Sequence, residues 1–224
     1  MDEFRVIEIK RSVFEDNDRD ADLLREELRK EKTFLVNLMS SPGSGKTTFL
    51  SAVLPRLIEM GYKVGVMEAD IDSDVDARTI TELGVRAIQL HTGGMCHLDA
   101  DMTRQGLKAF GTEELDIVFL ENVGNLVCPA EFDTGAVRNI MLLSTPEGDD
   151  KPLKYPLMFS IVSVALITKM DVAPLFDFSL EKVTERIHDI KEDTLVMPIS
   201  AKRNEGLEPF LEWIDREAKA FIGK

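Results

Sequence analysis

The sequence predicts a three-layer α/β fold, with a mostly parallel central sheet of about seven strands and helices on both faces. Seven apolar runs of strand length alternate with helix-like segments, which is typical of a parallel sheet covered on both sides. With 44% hydrophobic and 30% charged residues among 224, the chain is long enough to bury one sizeable core. The runs are FLVNLM (34–39), KVGVME (63–68), RAIQLH (86–91), DIVFLE (116–121), NIMLLS (139–144), VALIT (164–168) and LVMPIS (195–200).

The spacing of apolar residues outside these runs indicates the helices. Periodicity is clearest in SLEKVTERIHDIKE (179–192) and LEPFLEWIDREAKAF (207–221), which are typical of amphipathic outer helices. The segment ADLLREELRKEK, before the first run, is charged and has a narrow apolar stripe. We therefore predict an N-terminal helical extension, residues 1–33, packed on a single domain of residues 34–224. Within that domain, STPEGDDKPLKYP (144–156) is the most loop-like stretch.

The formal charge of −14 limits the expected partners. Neutralising phosphates requires a basic face, which this composition does not suggest, so we expect neither nucleic acid nor a membrane as partner. The longest uncharged apolar stretch, residues 155–168, is shorter than the roughly 20 residues that a membrane-spanning helix needs. The N-terminus has no apolar signal core, and two distant cysteines are poor evidence for disulfides. We therefore expect a cytoplasmic protein with free thiols.

The segment SSPGSGKTT, after the first run, has the pattern of a phosphate-binding loop. An apolar strand precedes it and an apolar helix follows it, as this loop requires. Glycines let the backbone N–H groups face the β-phosphate, while Lys46 supplies positive charge and Thr47 offers its hydroxyl to Mg²⁺. Ser40 stands where the usual pattern begins with glycine, and a small residue is acceptable there. The sequence therefore predicts a P-loop NTPase. Its predicted phosphate-binding residues are Gly43, Ser44, Gly45, Lys46, Thr47 and Thr48.

Two later motifs indicate guanine rather than adenine as the base. TKMD (168–171) follows the sixth apolar run, and SAK (200–202) follows the seventh. The carboxylate of Asp171 can accept hydrogen bonds from guanine N1–H and the exocyclic amine, whereas adenine would leave it without these donors. Thr168 stands where GTPases usually have asparagine, which leaves open whether a bracing hydrogen bond forms. The predicted base-binding residues are Thr168, Lys169, Asp171, Ser200, Ala201 and Lys202.

Acidic residues near the ends of two strands are candidates for holding Mg²⁺ together with Thr47. Asp70 ends a strand beside the P-loop, and Asp76 lies in a segment that would order on GTP, as switch regions do. Glu121 ends a buried strand at the Walker-B position, and Gly124 takes the place of the glycine that meets the γ-phosphate. Because no assured catalytic base is present, we expect slow GTP hydrolysis. The catalytic candidates are Lys46, Thr47, Asp70, Asp76, Glu121 and Gly124, of which Thr47, Asp70 and Glu121 are the expected Mg²⁺ ligands.

Cys96 and His97 are adjacent in GGMCHLDA (93–100), and Cys128 follows another strand. Loops that follow parallel strands collect at one edge of a sheet, so these three side chains can converge near the γ-phosphate. Two thiolates and an imidazole suit Zn²⁺, Ni²⁺ or Cu. Three ligands leave one position open, either for exchange or for completion across a symmetric dimer. From the residues alone, a buried cysteine beside an exposed histidine stays an alternative.

Four segments together resemble the HypB family of SIMIBI-class GTPases, which insert nickel during hydrogenase maturation. They are SSPGSGKT, GMCHLDA, ENVGNLVCPAEFD and PEGDDKPLKYP. The resemblance implies GTP-dependent dimerisation and Ni²⁺ or Zn²⁺ at Cys96, His97 and Cys128. It also implies two partners, a HypA metallochaperone and the large-subunit precursor of [NiFe]-hydrogenase. Some members carry an N-terminal nickel motif, but residues 1–33 contain neither Cys nor His, so we expect no such site here.

The predicted function is that of a GTP-hydrolysing metallochaperone, in which nucleotide state and dimerisation are coupled to nickel delivery for [NiFe]-hydrogenase. Cys128 lies only seven positions after Glu121, so events at the nucleotide can move a metal ligand. Three alternatives stay open. One is a urease-type nickel GTPase, although that class is expected to have Cys-Pro-His rather than adjacent Cys-His. The second is a small-molecule kinase that uses ATP, which Asp171 should reject strongly. The third is a zinc- or nickel-binding scaffold whose binding depends on nucleotide but which has no significant turnover.

Overall fold

The computed structural model describes residues 5–8, 17–70 and 75–224, with side chains for residues 17–69 and 79–224. In these ranges, eight strands form one sheet in which every neighbouring pair is parallel. They are β1 (Arg5–Glu8), β2 (Phe34–Ser40), β3 (Val64–Asp70), β4 (Arg86–His91), β5 (Ile117–Glu121), β6 (Arg138–Ser144), β7 (Val164–Thr168) and β8 (Leu195–Pro198). Their order across the sheet is β1-β4-β3-β5-β2-β6-β7-β8.

Nine α-helices surround this sheet in the described part of the chain. They are α1 (Asn17–Glu31), α2 (Lys46–Glu59), α3 (Val75–Glu82), α4 (Ala100–Phe110), α5 (Cys128–Glu131), α6 (Lys151–Lys154), α7 (Pro156–Ser160), α8 (Leu180–Ile190) and α9 (Glu208–Ile222). Short 3₁₀ turns span Thr145–Glu147, Met170–Leu175 and Ala201–Arg203.

Alternation along the strands divides the core between the two faces of the sheet. In β2, Val36 and Leu38 pack with residues of α2, α3 and α9, whereas Leu35 packs with α1 and α4. Met39, on the same face as Leu35, packs with α7 and α8. All seven residues of β2 are buried, which is why this strand reads as a continuous apolar run. The predicted three-layer α/β fold is confirmed.

The seven predicted strands are all present, and their bounds differ from the predicted ones by at most two residues. Strand β1 was not predicted. It pairs with β4 at the edge of the sheet, from Arg5 opposite Ile88 to Glu8 opposite His91. Its four residues, RVIE, include two charges, so no apolar run indicates a strand. Short, charged strands are common at sheet edges, where they discourage pairing with other chains.

The prediction that residues 144–156 form a loop was wrong, because this stretch folds into a 3₁₀ turn, then α6 and the start of α7. The side chain of Glu147 caps the start of the turn: the backbone N–H and hydroxyl of Ser144 both donate to Glu147 Oε2, at 2.9 and 2.7 Å. Proline occupies one of the first two positions of the turn and of both helices, where its missing N–H is not needed. Proline and acidic residues start helices as well as turns, so this composition does not distinguish a loop from short helices.

None of the helices in the described ranges combines the length and the apolar composition that crossing a bilayer would require.

Candidate functional site

The P-loop joins the buried end of β2 to the first turn of α2. Gly43 and Gly45 have φ angles of 72° and 102°, which residues with a Cβ rarely adopt. Lys46 Nζ donates to Ser40 Oγ at 3.0 Å and lies 3.8 Å from Glu121 Oε1. Ser40, the residue that departs from the usual glycine, therefore holds the P-loop lysine beside the acidic end of β5. Thr47 and Thr48 follow Lys46 in the first turn of α2.

A buried hydroxyl in this loop fits a phosphate ligand. Ser44 is 1% exposed, and its Oγ has no hydrogen-bond partner among the described residues. Buried polar atoms are nearly always paired, so a hydroxyl of this kind indicates a place for a ligand oxygen. Together with the positive charge of Lys46 and the N-terminus of α2, it gives the loop the donors that a nucleotide phosphate needs.

The segment after β5 packs directly on the P-loop. Glu121 is 4% exposed, and the nearby ammonium group of Lys46 compensates its charge. At Gly124, an added Cβ would lie 3.1 Å from Pro42 Cγ and 3.2 Å from Pro42 N. A side chain at this position would therefore push against the phosphate loop, which explains the glycine. Glu121 and Gly124, predicted at the γ-phosphate end of the site, both lie against the P-loop in the fold.

The P-loop and the two predicted base-binding motifs line one cleft of about 250 Å³. Thr168 Oγ1 donates to the carbonyl of Ser44 at 2.7 Å, and Lys169 Nζ donates to the carbonyl of Gly43 at 2.7 Å. The bracing hydrogen bond that the sequence left open is therefore present, made by a hydroxyl instead of an amide. Val172 also lines the cleft and was not predicted. The other lining residues are Ser44, Gly45, Thr48, Thr168, Lys169, Asp171, Ala201 and Lys202.

A serine hydroxyl positions Asp171 in this cleft. Ser200 Oγ donates to Asp171 Oδ1 at 2.8 Å, and this bond is the main reason why the pKa of Asp171 is lowered. The two motif loops are also joined by a backbone bond of 3.1 Å from Met170 N to Ile199 O. The fold thus holds an ionised acceptor in a fixed place, as recognition of guanine N1–H and its amine requires.

We expect Thr168→Val to lower the free energy of unfolding by about 1–2 kcal/mol, because the buried carbonyl of Ser44 loses its donor. Nucleotide affinity should fall severalfold, since the P-loop loses its brace. Denaturant titration and titration with a fluorescent GDP would measure the two effects. The matched control is Thr184→Val, which removes a hydroxyl bond to Leu180 O within α8. Equal nucleotide affinity of the Thr168 variant and the wild type would contradict the bracing role.

The three predicted nickel or zinc ligands converge at the same edge of the sheet. Cys96 and His97 lie in the loop between β4 and α4, and Cys128 is the first residue of α5. Cys96 Sγ lies 3.9 Å from His97 Nδ1, and a hydrogen bond with the Cys128 side chain is the main cause of the raised pKa of Cys96. No three Cys, His, Asp or Glu side chains in the described ranges are arranged to enclose an ion. The ligands are therefore gathered but need a shift, or a further ligand, to complete a metal site.

Two neighbours that sequence reasoning missed hold these side chains. The ring of His97 stacks on Phe132, with centroids 3.5 Å apart and planes at 11°. Asn125 Nδ2 donates to Cys128 Sγ at 3.3 Å. The alternative of a buried cysteine beside an exposed histidine is wrong, because His97 is 7% exposed whereas Cys96 is partly exposed. Both neighbours lie within ENVGNLVCPAEFD, but no local pattern shows that they contact the ligands.

For the predicted Mg²⁺ ligand Asp70 and the predicted switch residue Asp76, the structure describes the backbone but not the side chains. Asp70 is the last residue of β3, in register with His91 of β4, and Asp76 lies in α3. Their side chains lie outside the described ones, so their assignment to Mg²⁺ and to the switch stays a prediction.

Comparisons with known proteins agree with this geometry. The profile of the family described as "CobW/HypB/UreG, nucleotide-binding domain" matches residues 34–198. The hydrogenase maturation factor HypB of Escherichia coli K12 is 39% identical over 217 residues, covering 97% of this chain and 74% of that protein. The hydrogenase/urease maturation factor HypB of Helicobacter hepaticus is 40% identical, covering 94% and 88%. The crystal structure of Helicobacter pylori HypB in complex with nickel superposes with a TM-score of 0.84 at 39% identity, covering 91% of this chain and 95% of that one.

The family profile matches most of the chain, and relatives at this identity cover nearly its full length. The chain therefore belongs to the CobW/HypB/UreG family of P-loop NTPases and, within it, to the HypB proteins.

Proposed function

We propose that this protein is a GTP-hydrolysing metallochaperone that delivers nickel during maturation of [NiFe]-hydrogenase. The observation that carries the proposal is the shared position of the two sites at one edge of the sheet. A single segment runs from Glu121, beside Lys46, to Cys128, whose thiol interacts with Cys96. The E. coli relative is a hydrogenase maturation factor, and the similar H. pylori HypB structure contains nickel, which supports both the pathway and the cargo.

In this proposal, the P-loop binds the phosphates and the cleft reads the base. Thr47, Asp70 and Glu121 would hold Mg²⁺, which supplies positive charge where negative charge develops on the phosphates during hydrolysis. Lys46 shares that role. Hydrolysis is expected to be slow, because no residue of the sequence is an assured general base for the attacking water.

Coupling between nucleotide and cargo would run through residues 121–128. Gly124 packs against Pro42 of the P-loop, and the backbone N–H of Asn122 donates to Leu38 O at 3.0 Å. A movement of the P-loop on loss of the γ-phosphate would therefore be passed to Asn125 and Cys128. Because linkage is reciprocal, nickel would also change the relative affinity for GTP and GDP.

We further propose a GTP-dependent homodimer, because large apolar side chains are exposed near both sites. Leu175 and Phe176, just after the TKMD motif, are 78% and 44% exposed, and Val127, next to Cys128, is 49% exposed. Exposed apolar side chains of this size are typical of contact surfaces. A second copy could also supply the ligands that one chain lacks. A HypA-type metallochaperone and the hydrogenase large-subunit precursor are the proposed nickel donor and acceptor.

We expect Leu175→Glu to reduce the dimer fraction in the presence of a non-hydrolysable GTP analogue by about tenfold or more, because burying an unpaired carboxylate is unfavourable. Sedimentation velocity with the analogue and with GDP would measure it. The matched control is Leu195→Glu, at a position that is 41% exposed on the edge strand β8. If both variants dimerise like the wild type, the surface around Leu175 is not the dimer contact.

The experiment that tests the function compares the nickel affinity of the protein loaded with a GTP analogue and with GDP, together with phosphate release. Coupling energies between linked sites are typically about 1–3 kcal/mol, so we expect affinities that differ by roughly 5- to 150-fold. Equal affinities would remove the coupling. Unequal affinities without phosphate release would favour the alternative of a nucleotide-gated scaffold. The name of the H. hepaticus relative, a hydrogenase/urease maturation factor, makes delivery of nickel to urease the second candidate function.

A further inference from the structure

Helix α1 contacts both segments that carry the proposed metal ligands, and one of its side chains forms a hydrogen bond to each segment. Asn17, the first residue of α1, is 8% exposed. Its Nδ2 donates to the carbonyl of Asp133 at 3.1 Å, and its Oδ1 accepts from the backbone N–H of Ala100 at 3.0 Å. Asp133 lies five residues after Cys128, and Ala100 lies three residues after His97. The side-chain amide of Asn17 thus connects the segment that follows Cys128 to the segment that follows His97.

Both segments are firmly held where the amide meets them. Phe132, the residue before Asp133, stacks on His97 at a centroid distance of 3.5 Å. Asp99, the residue before Ala100, caps α4 by accepting from Met102 N at 2.8 Å. If the side chain of Asn17 moved, these contacts would therefore shift the position of His97 as well.

The rest of α1 holds the same turn after Cys128. Arg25 Nη2 lies 2.5 and 2.6 Å from the two carboxylate oxygens of Asp133, and Arg25 Nε donates to Ala136 O at 3.0 Å. At Gly135, an added Cβ would lie 2.7 Å from Leu24 Cδ2, so the helix and the turn are in close contact. The turn at residues 133–136 is thereby fixed to α1, while Asn17 fixes α1 to the start of α4.

We propose that Asn17 is a positioning residue of the metal site: it sets the separation between the Cys96–His97 loop and Cys128. This inference rests on the proposed metal-binding function of those three residues. Asn17 lies outside residues 34–198, which the family profile matches, so the profile assigns it no role. The helix does more than cover the sheet, because it clamps together two loops that are far apart in sequence.

The test uses the full chain with Asn17→Ala, which removes both bonds, and Asn17→Asp, which keeps the acceptor for Ala100 N–H but loses the donor to Asp133. The control is Arg104→Ala. Arg104 ties α1 to α4 through Glu27 Oε2 at 3.2 Å and Asp20 O at 2.9 Å, without contacting the turn after Cys128. Nickel alone is titrated, with the thiolate-to-nickel absorption band as a spectroscopic readout.

A second readout needs no metal. Cys96 and Cys128 are the two cysteines of the chain, so their intramolecular disulfide can be measured against glutathione. Oxidised glutathione takes up the two electrons and two protons and is released as two thiols when the disulfide forms. The equilibrium constant is an effective concentration of one thiol at the other, and therefore reports how well the two loops are juxtaposed.

We expect Asn17→Ala to weaken nickel binding about tenfold, as changes behind metal ligands typically do, and to lower the effective thiol concentration by a similar factor. Asn17→Asp should have a smaller effect of the same sign, and it serves as the test variant if the alanine variant does not fold. Arg104→Ala should change neither readout, and GTP affinity measured without nickel should be the same in all variants.

Unchanged readouts in the Asn17 variants, or equal losses in Arg104→Ala, would overturn the inference. Failure of the proposed function looks different. In that case Cys96→Ala and Cys128→Ala would leave nickel binding unaltered, while the glutathione equilibrium would still decide whether Asn17 positions the two thiols.

Discussion

Replacing Asp171 with asparagine should lower the affinity for GTP by about 10²- to 10³-fold. The amide would face the N1–H and the amine of guanine with a donor where an acceptor is needed, and two charge-assisted hydrogen bonds would be lost. Hydrogen bonds to charged groups contribute about 1.5–3 kcal/mol each, and every 1.4 kcal/mol is roughly a factor of ten in affinity. Because Ser200 holds the carboxylate in place, the substitution should change the chemistry of the position more than its geometry.

Xanthosine triphosphate tests the assignment of Asp171 more directly, because the asparagine variant should gain affinity for it. Xanthine has a carbonyl where guanine has the amine, so the asparagine amide can donate to it, and the variant should prefer this nucleotide. Competition against a fluorescent nucleotide measures GTP, ATP and the xanthine nucleotide together. Asp177→Asn is the matched control, since Asp177 is exposed in the same loop and does not line the cleft. An unchanged order of preference in the Asp171 variant would show that the base is read elsewhere.

Removing the Cys128 thiol is expected to have the second large effect, a loss of nickel affinity of at least about 100-fold. Changes behind metal ligands already cost about 10- to 100-fold, and loss of a ligand should exceed them. Cys96→Ala should behave alike, because the two thiols interact in the structure. Metal content after dialysis, measured with a GTP analogue and with GDP, gives the result for both nucleotide states.

Histidine substitutions complete the same comparison. His97→Ala should also release nickel, whereas His188→Ala, which removes a bond to Thr194 O far along the chain, should not. In the absence of nickel, GTP affinity should be preserved in the cysteine variants, since neither thiol lines the cleft. Unaltered metal content in Cys96→Ala and Cys128→Ala would exclude this place as the nickel site.

The architecture could be predicted because its causes are local in sequence. Strands that are buried on both faces must be apolar, so β2, β5 and β7 stand out as runs, and the other predicted strands keep enough buried residues to be recognised. Parallel strands also place their following loops at one edge, so the P-loop, Glu121 and the thiols could be expected together. Strand β1 could not be predicted, because a four-residue strand at the edge of the sheet does not need an apolar run.

The contacts that complete the site could not be predicted, because they join distant parts of the chain. Asn17 bonds to Asp133 across 116 positions, and no pattern within either segment indicates the other. The same holds for Phe132 on His97. The hydrogen bond of Thr168 could not be predicted either. GTPases usually have asparagine at this position, and the sequence does not show that the threonine hydroxyl reaches the carbonyl of Ser44.

The order of strands in the sheet has a consequence for folding during synthesis on the ribosome. Strand β2, which leads into the P-loop, is synthesised before its two neighbours in the sheet, β5 and β6. Phe34 pairs with Ile117 and Val36 with Arg138, so β2 cannot pair in the sheet, and cannot support the phosphate loop, until β5 and β6 have been synthesised. Non-local parallel pairing of this kind is slow, and nucleotide affinity should therefore be acquired late, in one step with closure of the central strands.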